Sequence, residues 1–362
     1  MRNMGGKDPP GQRKRATIAH VARQARVSNQ TVSRVVNNNP SVAPQTRLRV
    51  QRAIARLEYR PNALARSLVR HRSHTLGVVA SGLEYYGPSG TLVGIERQAT
   101  ALGYSIQLNL LNRPQLADVD HVLNSLLSRQ VDGIIWAVPE IGSNRSWLGR
   151  KTLNPPVPIV LLSMHPADHL QVVSVDNRAG GRLATGHLLA QGYRRIGLIT
   201  GPLDWWEARE RRLGWEDSLR AAGLEANEVQ VFEGDWSSLS GEAGFSQLAR
   251  MFPEMDALFA QNDQMALGVL QAVLRQGRRV PDDLGVVGFD DIPESAFFWP
   301  PLTTVRQEIH ELGGMAVKQV VSAIEATRSE AKPAMAGIHW LTPRLVVRQS
   351  SLRNPVALAT GG

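Results

Sequence analysis

The sequence predicts two joined folds: a small all-helical unit at the front, and behind it a doubly wound parallel α/β body in two lobes. Three observations carry this. The charge is lopsided: residues 1–74 hold 16 Lys/Arg against 2 Asp/Glu, a formal +14, while the rest holds 25 against 30, or −5, and together these give the +9 of the 362-residue chain. Apolar residues recur at helical spacing from Thr17 to Leu57. From Thr75 onward the pattern changes to short continuous apolar runs between helical segments, as expected of strands covered on both faces.

Residues 1–15 carry Gly, Pro and Lys/Arg with no apolar period and read as a disordered basic tail. Ile18, Val21, Ala22 and Ala25 then form one helical face, with Thr17 placed to cap its start. A turn at Arg26-Val27 leads to a second helix, capped by Ser28 and turned inward through Val32, Val35 and Val36. Asn37-Asn38-Asn39-Pro40 ends it, and a third helix uses Val50, Ala53, Ile54 and Leu57. Two short helices around a tight turn with a supporting third make a helix-turn-helix headpiece over 16–61. Asn62 can cap a two-turn helix in the hinge and linker of 62–74; alone it is marginal, because helix nucleation is costly.

About ten strands are predicted in the body: TLGVVA, SIQLNLL, VDGIIWAV, PIVLL, VVSVD, RRIGLITG, VQVFEGD, ALFAQND, LGVVGFDD and TTVRQ. Ten is many for one sheet, so two lobes are expected. The first takes about 75–175 and 308–336, the second about 176–307 and 337–350, and 351–362 is a frayed tail. Length and composition suit sizeable buried cores. There is no Cys, which excludes disulfide scaffolds, thiolate metal sites and Cys nucleophiles. No apolar run approaches the ~20 residues of a membrane span, and the first 16 residues lack the apolar core of a secretory signal. A cytoplasmic, nucleoid-associated protein with no membrane partner is the expectation.

A basic front joined to a mildly acidic body implies that the front binds a polyanion. The second helix exposes Asn29, Gln30, Ser33 and Arg34. Amides bond bidentately to adenine and Arg to guanine, so this face can read base edges. In doubly wound sheets ligands bind beyond the carboxyl ends of the strands. Those ends carry Ser81, Ser163, Asp176-Asn177, Trp205-Trp206, Trp236, Asn262-Asp263 and Asp290-Asp291, with Arg209, Arg211 and Arg212 on a following helix. Planar acid, amide and guanidinium groups beside an aromatic platform suit a polyhydroxylated ring.

The segment TIAHVARQARVSNQTVSRVVNNNPSVAPQTRLRVQRAIARLEYRPNALARSL closely resembles the DNA-binding headpiece of the lactose-repressor (LacI/GalR) family. The body runs GPLDWWEARERRLGW, EGDWSSLSG, QNDQMALG, VVGFDD and PPLTTVRQ extend the resemblance over nearly everything after the tail. It implies a periplasmic-binding-protein-like sensor body and a homodimer on near-palindromic double-stranded operator DNA. In the headpiece it implies base contacts from Asn29, Gln30 and Arg34, and phosphate contacts from Ser28, Thr31 and Asn37, with the capping residue Thr17 also counted among the DNA-binding residues. Ser33 belongs to the same DNA-facing set. In the hinge it implies Leu68 as a minor-groove wedge, Ala65 at the close approach of two hinges, and Arg66 near the groove. In the body it implies Arg211, Asn262 and Asp290 on ligand hydroxyls, Trp236 stacking, and a lining of Ser81, Tyr85, Gly87, Pro88, Leu162, Ser163 and Ile309, with Gln307 between lobes. The implied effector is a mono- or disaccharide, with no cofactor, no metal and no catalysis.

The sequence departs from the family at several places. His20 stands where an acid is usual and Arg26 where the turn has Gly, so that turn either avoids a positive φ or tolerates strain. Ser163 stands where the lactose-repressor branch is acidic, Val175 where it is aromatic, and Tyr85 where it is aliphatic, which argues against assuming a galactoside. A corepressor reading, with a purine or sugar phosphate as ligand, is kept open by Arg209–Arg212. A solute-binding protein is opposed by the basic headpiece, and an enzyme by the lack of nucleotide-binding or metalloprotease motifs. Asp263 and Asp291 are expected to be structural, Asp263 as a helix cap. Asp176 should order its loop, Arg209 and Arg212 should be solvated, and Trp136, Trp147 and Trp299 should pack. No C-terminal leucine heptad is present, so a dimer rather than a tetramer is expected.

Overall fold

The computed structural model describes residues 16–36, 38–59, 72–114, 118–149, 156–165, 171–329 and 337–353. The chain divides into two compact units, 1–73 and 74–362.

The first unit holds α1 (Ile18–Ala25), α2 (Asn29–Val36) and α3 (Pro44–Arg56). Val21, Val32 and Val50, one from each helix, are completely buried and close a small core with Ala22, Ala25, Val35 and Ala53. Pro44 opens α3 at its first turn, where no amide hydrogen is needed.

The second unit contains two six-stranded sheets. In the first lobe the strands are β1 (Thr75–Ala80), β2 (Ser105–Leu110), β3 (Gly133–Ala137), β4 (Ile159–Leu162), β5 (Gln171–Val175) and, from far along the chain, β11 (Gly337–Leu341). Their order is β11-β5-β4-β3-β1-β2, all parallel. Helices α4 (Tyr86–Ala101), α5 (Val119–Ser128) and α10 (Ile309–Arg328) cover it. Gly94 permits α10 to lie close on α4, since a Cβ there would sit 2.2 Å from the His310 carbonyl oxygen.

The second lobe holds β6 (Ile196–Thr200), β7 (Val231–Glu233), β8 (Ala257–Ala260), β9 (Gly285–Asp290), β10 (Thr303–Arg306) and β12 (Arg344–Val346), in the order β12-β10-β9-β8-β6-β7. Only β12 runs antiparallel. Helices α6 (Asn177–Ala190), α7 (Trp206–Ala221), α8 (Ser238–Met251) and α9 (Asp263–Arg275) flank it. All ten strands read from the sequence are present.

One boundary is corrected. Residues 337–341, placed in the second lobe from sequence, pair with β5 in the first, so the final crossing falls between 341 and 344. Both late strands lie at sheet edges and are partly exposed, so neither carries the continuous apolar run that marks the others. The chain therefore passes between lobes three times, at 175–177, 306–309 and 341–344.

Trp136 and Trp147 pack together in the first lobe, as expected, with ring centroids 4.7 Å apart and planes tilted by 50°. Trp299 does not: it is 82% exposed beside Phe297 at 87%.

Candidate functional site

In the headpiece, Thr17 Oγ1 accepts from the His20 amide at 3.4 Å while His20 Nδ1 accepts from the Thr17 amide at 3.3 Å. His20 thus completes a reciprocal cap in place of the usual acid, and Thr17 has a structural task. Arg26 takes φ 52° and ψ 52°, so the turn keeps the left-handed geometry of the usual Gly and bears the strain. Ser28 Oγ accepts from the Thr31 amide at 3.1 Å and lies 3.0 Å from Thr31 Oγ1, fixing the start of α2. With Val32 and Val35 inward, Asn29, Gln30 and Arg34 are exposed, and Thr31 and Ser33 are half-buried. A short rigid helix thus presents two amides and one guanidinium. Asn37, Ala65, Arg66 and Leu68 lie outside the described residues.

In the body a cavity of about 400 Å³ opens between the lobes. Tyr85, Pro88, Leu162 and Ser163 line it from the first lobe, and Arg211, Trp236, Asn262 and Asp290 from the second. Gln307, Ile309 and Leu312 line it at a crossing, and Gly87 also contributes. Ser81 is buried behind these residues and is not part of the lining. All of this lies beyond carboxyl ends of the parallel strands, where helix starts and loops from both lobes converge.

Arg211 is the centre of the floor. It is 5% exposed, its Nε donates to Asn177 Oδ1 at 2.8 Å, and its Nη1 donates to the Gln261 carbonyl at 2.5 Å. Its guanidinium lies 3.8 Å from the Phe289 ring centroid and 3.9 Å from Asp290 Oδ1. Among the described residues Nη2 makes no hydrogen bond. Asp290 Oδ1 accepts from Gln307 Nε2 at 2.6 Å, so the floor is tied to the crossing segment. Burial raises the Asp290 pKa to about 6, against the pull of Arg211. Asn262 caps α9, its Oδ1 accepting from the Met265 amide at 2.8 Å, while its Nδ2 donates to the Trp236 carbonyl at 2.9 Å. The cap is therefore Asn262. Asp263, expected in that place, is instead completely buried and accepts from the Ile292 amide, Ser295 and Thr304. Burial raises its pKa to about 7.

The sequence reading missed Glu207, Glu84 and Asp235 as lining residues, while Trp205, read there at a strand end, does line the cavity. Glu207 bonds to Ser163 across the lobes, and burial pushes its carboxyl up. A signal existed: Glu207 lies one helical turn before Arg211 on the same face of α7. Nothing local marks Glu84 or Asp235, which lie in loops. Ser163, Trp236 and Asp290 have φ of 52°, 71° and 111°, so three non-glycine residues of the wall hold costly backbone conformations, a pattern typical of ligand clamps. Buried Trp236 Nε1 and Gln264 Oε1 have no hydrogen-bond partner among the described residues.

Arg209 and Arg212 are not part of the cavity lining. Arg209 donates to the Leu203 and Asp204 carbonyls, and Arg212 pairs with Glu216 and Glu228, so neither is simply solvated. Asp291 is held by Arg306 and Arg348, and Asp176 caps α6 by accepting from the Ala179 amide. At the rim the lobes are joined by Gly142 N–H to the Asp204 carbonyl at 2.8 Å and Trp206 N–H to the Glu140 carbonyl at 3.0 Å.

A helix-turn-helix unit joined to a two-lobed, cavity-bearing body defines a ligand-responsive DNA-binding regulator. The comparisons narrow this. Residues 17–62 match the family of bacterial regulatory proteins, lacI family, and residues 185–351 match a periplasmic binding protein-like domain. The lactose operon repressor of Escherichia coli K12 is 34% identical over 345 residues, 94% of this chain and 91% of its own. A PurR-type transcriptional repressor of Aliivibrio salmonicida is 32% identical over 338 residues, covering 92% and 98%. The crystal structure of the lac repressor dimer bound to operator and an anti-inducer superposes with a TM-score of 0.82 at 33% identity, covering 94% of this chain and all of that one. The chain belongs to the lacI family of bacterial transcriptional regulators.

Proposed function

We propose that this protein is a homodimeric repressor of carbohydrate-utilisation genes, released from a near-palindromic operator by a neutral mono- or disaccharide bound between its lobes. One observation carries the choice of effector. The cavity presents four carboxyl side chains, Glu84, Glu207, Asp235 and Asp290, against the single cation Arg211, and its walls include Tyr85, Tyr86, Trp205 and Trp236. Such a site repels phosphates and other anions and favours a polyol. Aromatic faces cover C–H surfaces, and hydroxyls supply partners for the unpaired Trp236 Nε1 and Gln264 Oε1. Relatives named a lactose operon repressor and a ribose operon repressor, and a solved regulator–cellobiose complex, agree with a sugar. The PurR relatives keep a purine corepressor as the second reading, but of the three arginines in 209–212 only Arg211 lines the cavity, while Arg209 and Arg212 are engaged elsewhere.

In the dimer, exposed Phe297 and Trp299 supply apolar surface for a second copy. The headpieces place α2 of each copy in successive major grooves, with Gln30, Arg34 and Asn29 on base edges. Leu68 of each hinge wedges the minor groove between them. Effector binding changes the angle between the lobes and thereby unseats the hinge pair. The coupling is reciprocal and worth ~1–3 kcal/mol, so operator-bound protein binds the sugar more weakly. Working on chromosomal operators places the protein in the cytoplasm. A thermal-shift screen tests the effector class. Stabilisation by neutral sugars and none by purines or sugar phosphates is the expected result; stabilisation confined to purines or phosphates overturns it.

A further inference from the structure

We infer that the headpiece carries a second, sequence-independent phosphate site, on the face formed by α1 and α3, separate from the base-reading helix. The inference rests on the reading of this unit as a DNA binder. Between the C-terminal end of α1 and the length of α3 runs a groove of about 390 Å³. Ala25 and Ala53 are its small buried residues, and Arg26, Arg49, Arg52 and Arg56 are its cations. No residue of α2 lines it.

The arrangement follows from the sequence. Positions 49, 52 and 56 fall three and four apart, on one face of α3, while Val50, Ala53, Ile54 and Leu57 hold the other face to the core. Arg26 joins them because the left-handed turn ends α1 there. A glycine takes that conformation without strain, yet the position holds a long cation.

The distribution of charge is the second observation. Residues 16–59 contain seven arginines and one acid, Glu58. Four of the seven line the groove, and only Arg34 stands on the reading helix. Arg47 is spent on the Asn39 carbonyl. The four groove arginines are exposed, and they have no ion pair or side-chain hydrogen bond among the described residues. Four unpaired like charges around one channel repel each other, and a row of phosphodiesters relieves that repulsion. Guanidinium forks match phosphate oxygens, and the lining sets four such cations against a single amide, Gln24, a composition suited to backbone charge rather than to base edges. The phosphates come either from the flank of the duplex already bound or from a second duplex.

The test compares wild type, R49Q/R52Q/R56Q and the charge-retaining R49K/R52K/R56K on a mixed-sequence 40-bp duplex, by anisotropy across a salt series. Circular dichroism checks that each headpiece is helical. Each phosphate contact contributes a slope of about 0.9 in log K against log salt, so the Gln variant is expected to lose about 2–3 units of slope while the Lys variant keeps them. A second arm measures capture of a fluorescent duplex by protein on a bead-held duplex. Loss of slope with capture unchanged assigns the groove to the flank; loss of both assigns it to a second duplex. A Gln variant with the wild-type slope overturns the site, as does a Lys variant that falls with it. Wild type that binds no duplex at all overturns the parent reading instead.

Discussion

Gly201, the residue after β6, offers a way to disturb the cavity without touching a ligand-facing polar group. A Cβ at that position would lie 2.1 Å from Trp236 Cζ2, 2.2 Å from Cη2 and 2.3 Å from Cε2. Ordinary contact starts near 3.4 Å, so Gly201→Ala forces the indole to move by about 1.3 Å (3.4 minus 2.1). The backbone of Gly201 is not left-handed, so alanine adds no strain of its own. Trp236 cannot yield freely. Its carbonyl is held by Asn262 Nδ2, and its ring meets Trp205 edge-on at 5.8 Å. Overpacking of this kind costs ~1–3 kcal/mol. If that cost falls on the effector-bound form, affinity drops roughly 5- to 150-fold at 1.4 kcal/mol per decade. The assay is release of a labelled operator duplex, followed by anisotropy as the best sugar from the thermal-shift screen is titrated. The variant should bind DNA like wild type and need that much more sugar for half-release. Half-release at the wild-type concentration would refute Trp236 as a wall against which the ligand packs.

Other expected outcomes follow from the same geometry. Arg211→Leu leaves Asp290 without its cation and strands the Asn177 and Gln261 acceptors, and loss of one member of a buried pair costs ~3–5 kcal/mol. Chemical denaturation should show a destabilisation of that order, with Arg211→Lys between it and wild type; a change below about 1 kcal/mol contradicts the buried-pair account. Asp263 has a folded pKa of about 7 against an ordinary 3.8, so the folded state holds a proton that the unfolded chain has lost between those values. Its contribution is present below about pH 4 and is lost as pH rises to about 7, by at most ~1.4 kcal/mol per unit. Urea midpoints should therefore show Asp263→Asn gaining on wild type as pH rises across that window, and a falling difference has the wrong sign. Introducing charge into the exposed aromatic pair with F297D/W299D should give monomers by light scattering, and a dimer at the same concentration would move the interface elsewhere.

Much of this architecture was legible because buried parallel strands must be apolar throughout. Runs such as GVVGF and IGLIT admit few other roles, and glycines and aspartates at their ends mark where ligands collect. The late strands were not legible, since Gly337–Leu341 and Arg344–Val346 lie at sheet edges, where water covers one side and polar residues suffice. In the cavity, residues at strand ends were found, but Glu84 and Asp235 lie on loops brought in by tertiary structure alone. Asp263 and Asn262 show how neighbours exchange tasks: either can cap α9, and only the packed fold reveals that Asn262 does while Asp263 is buried under Ser295 and Thr304. Trp299 reads as a core residue by type, and its exposure is a property of the surface around it.

The most direct trial of the account uses an operator duplex selected by the protein itself from a random-sequence pool, with anisotropy read at fixed salt. Adding neutral mono- or disaccharides should free the duplex from wild type, whereas Gln30→Ala/Arg34→Ala should bind that duplex no better than a scrambled one. A complex indifferent to every neutral sugar, and tightened by a purine or a sugar phosphate, would contradict it.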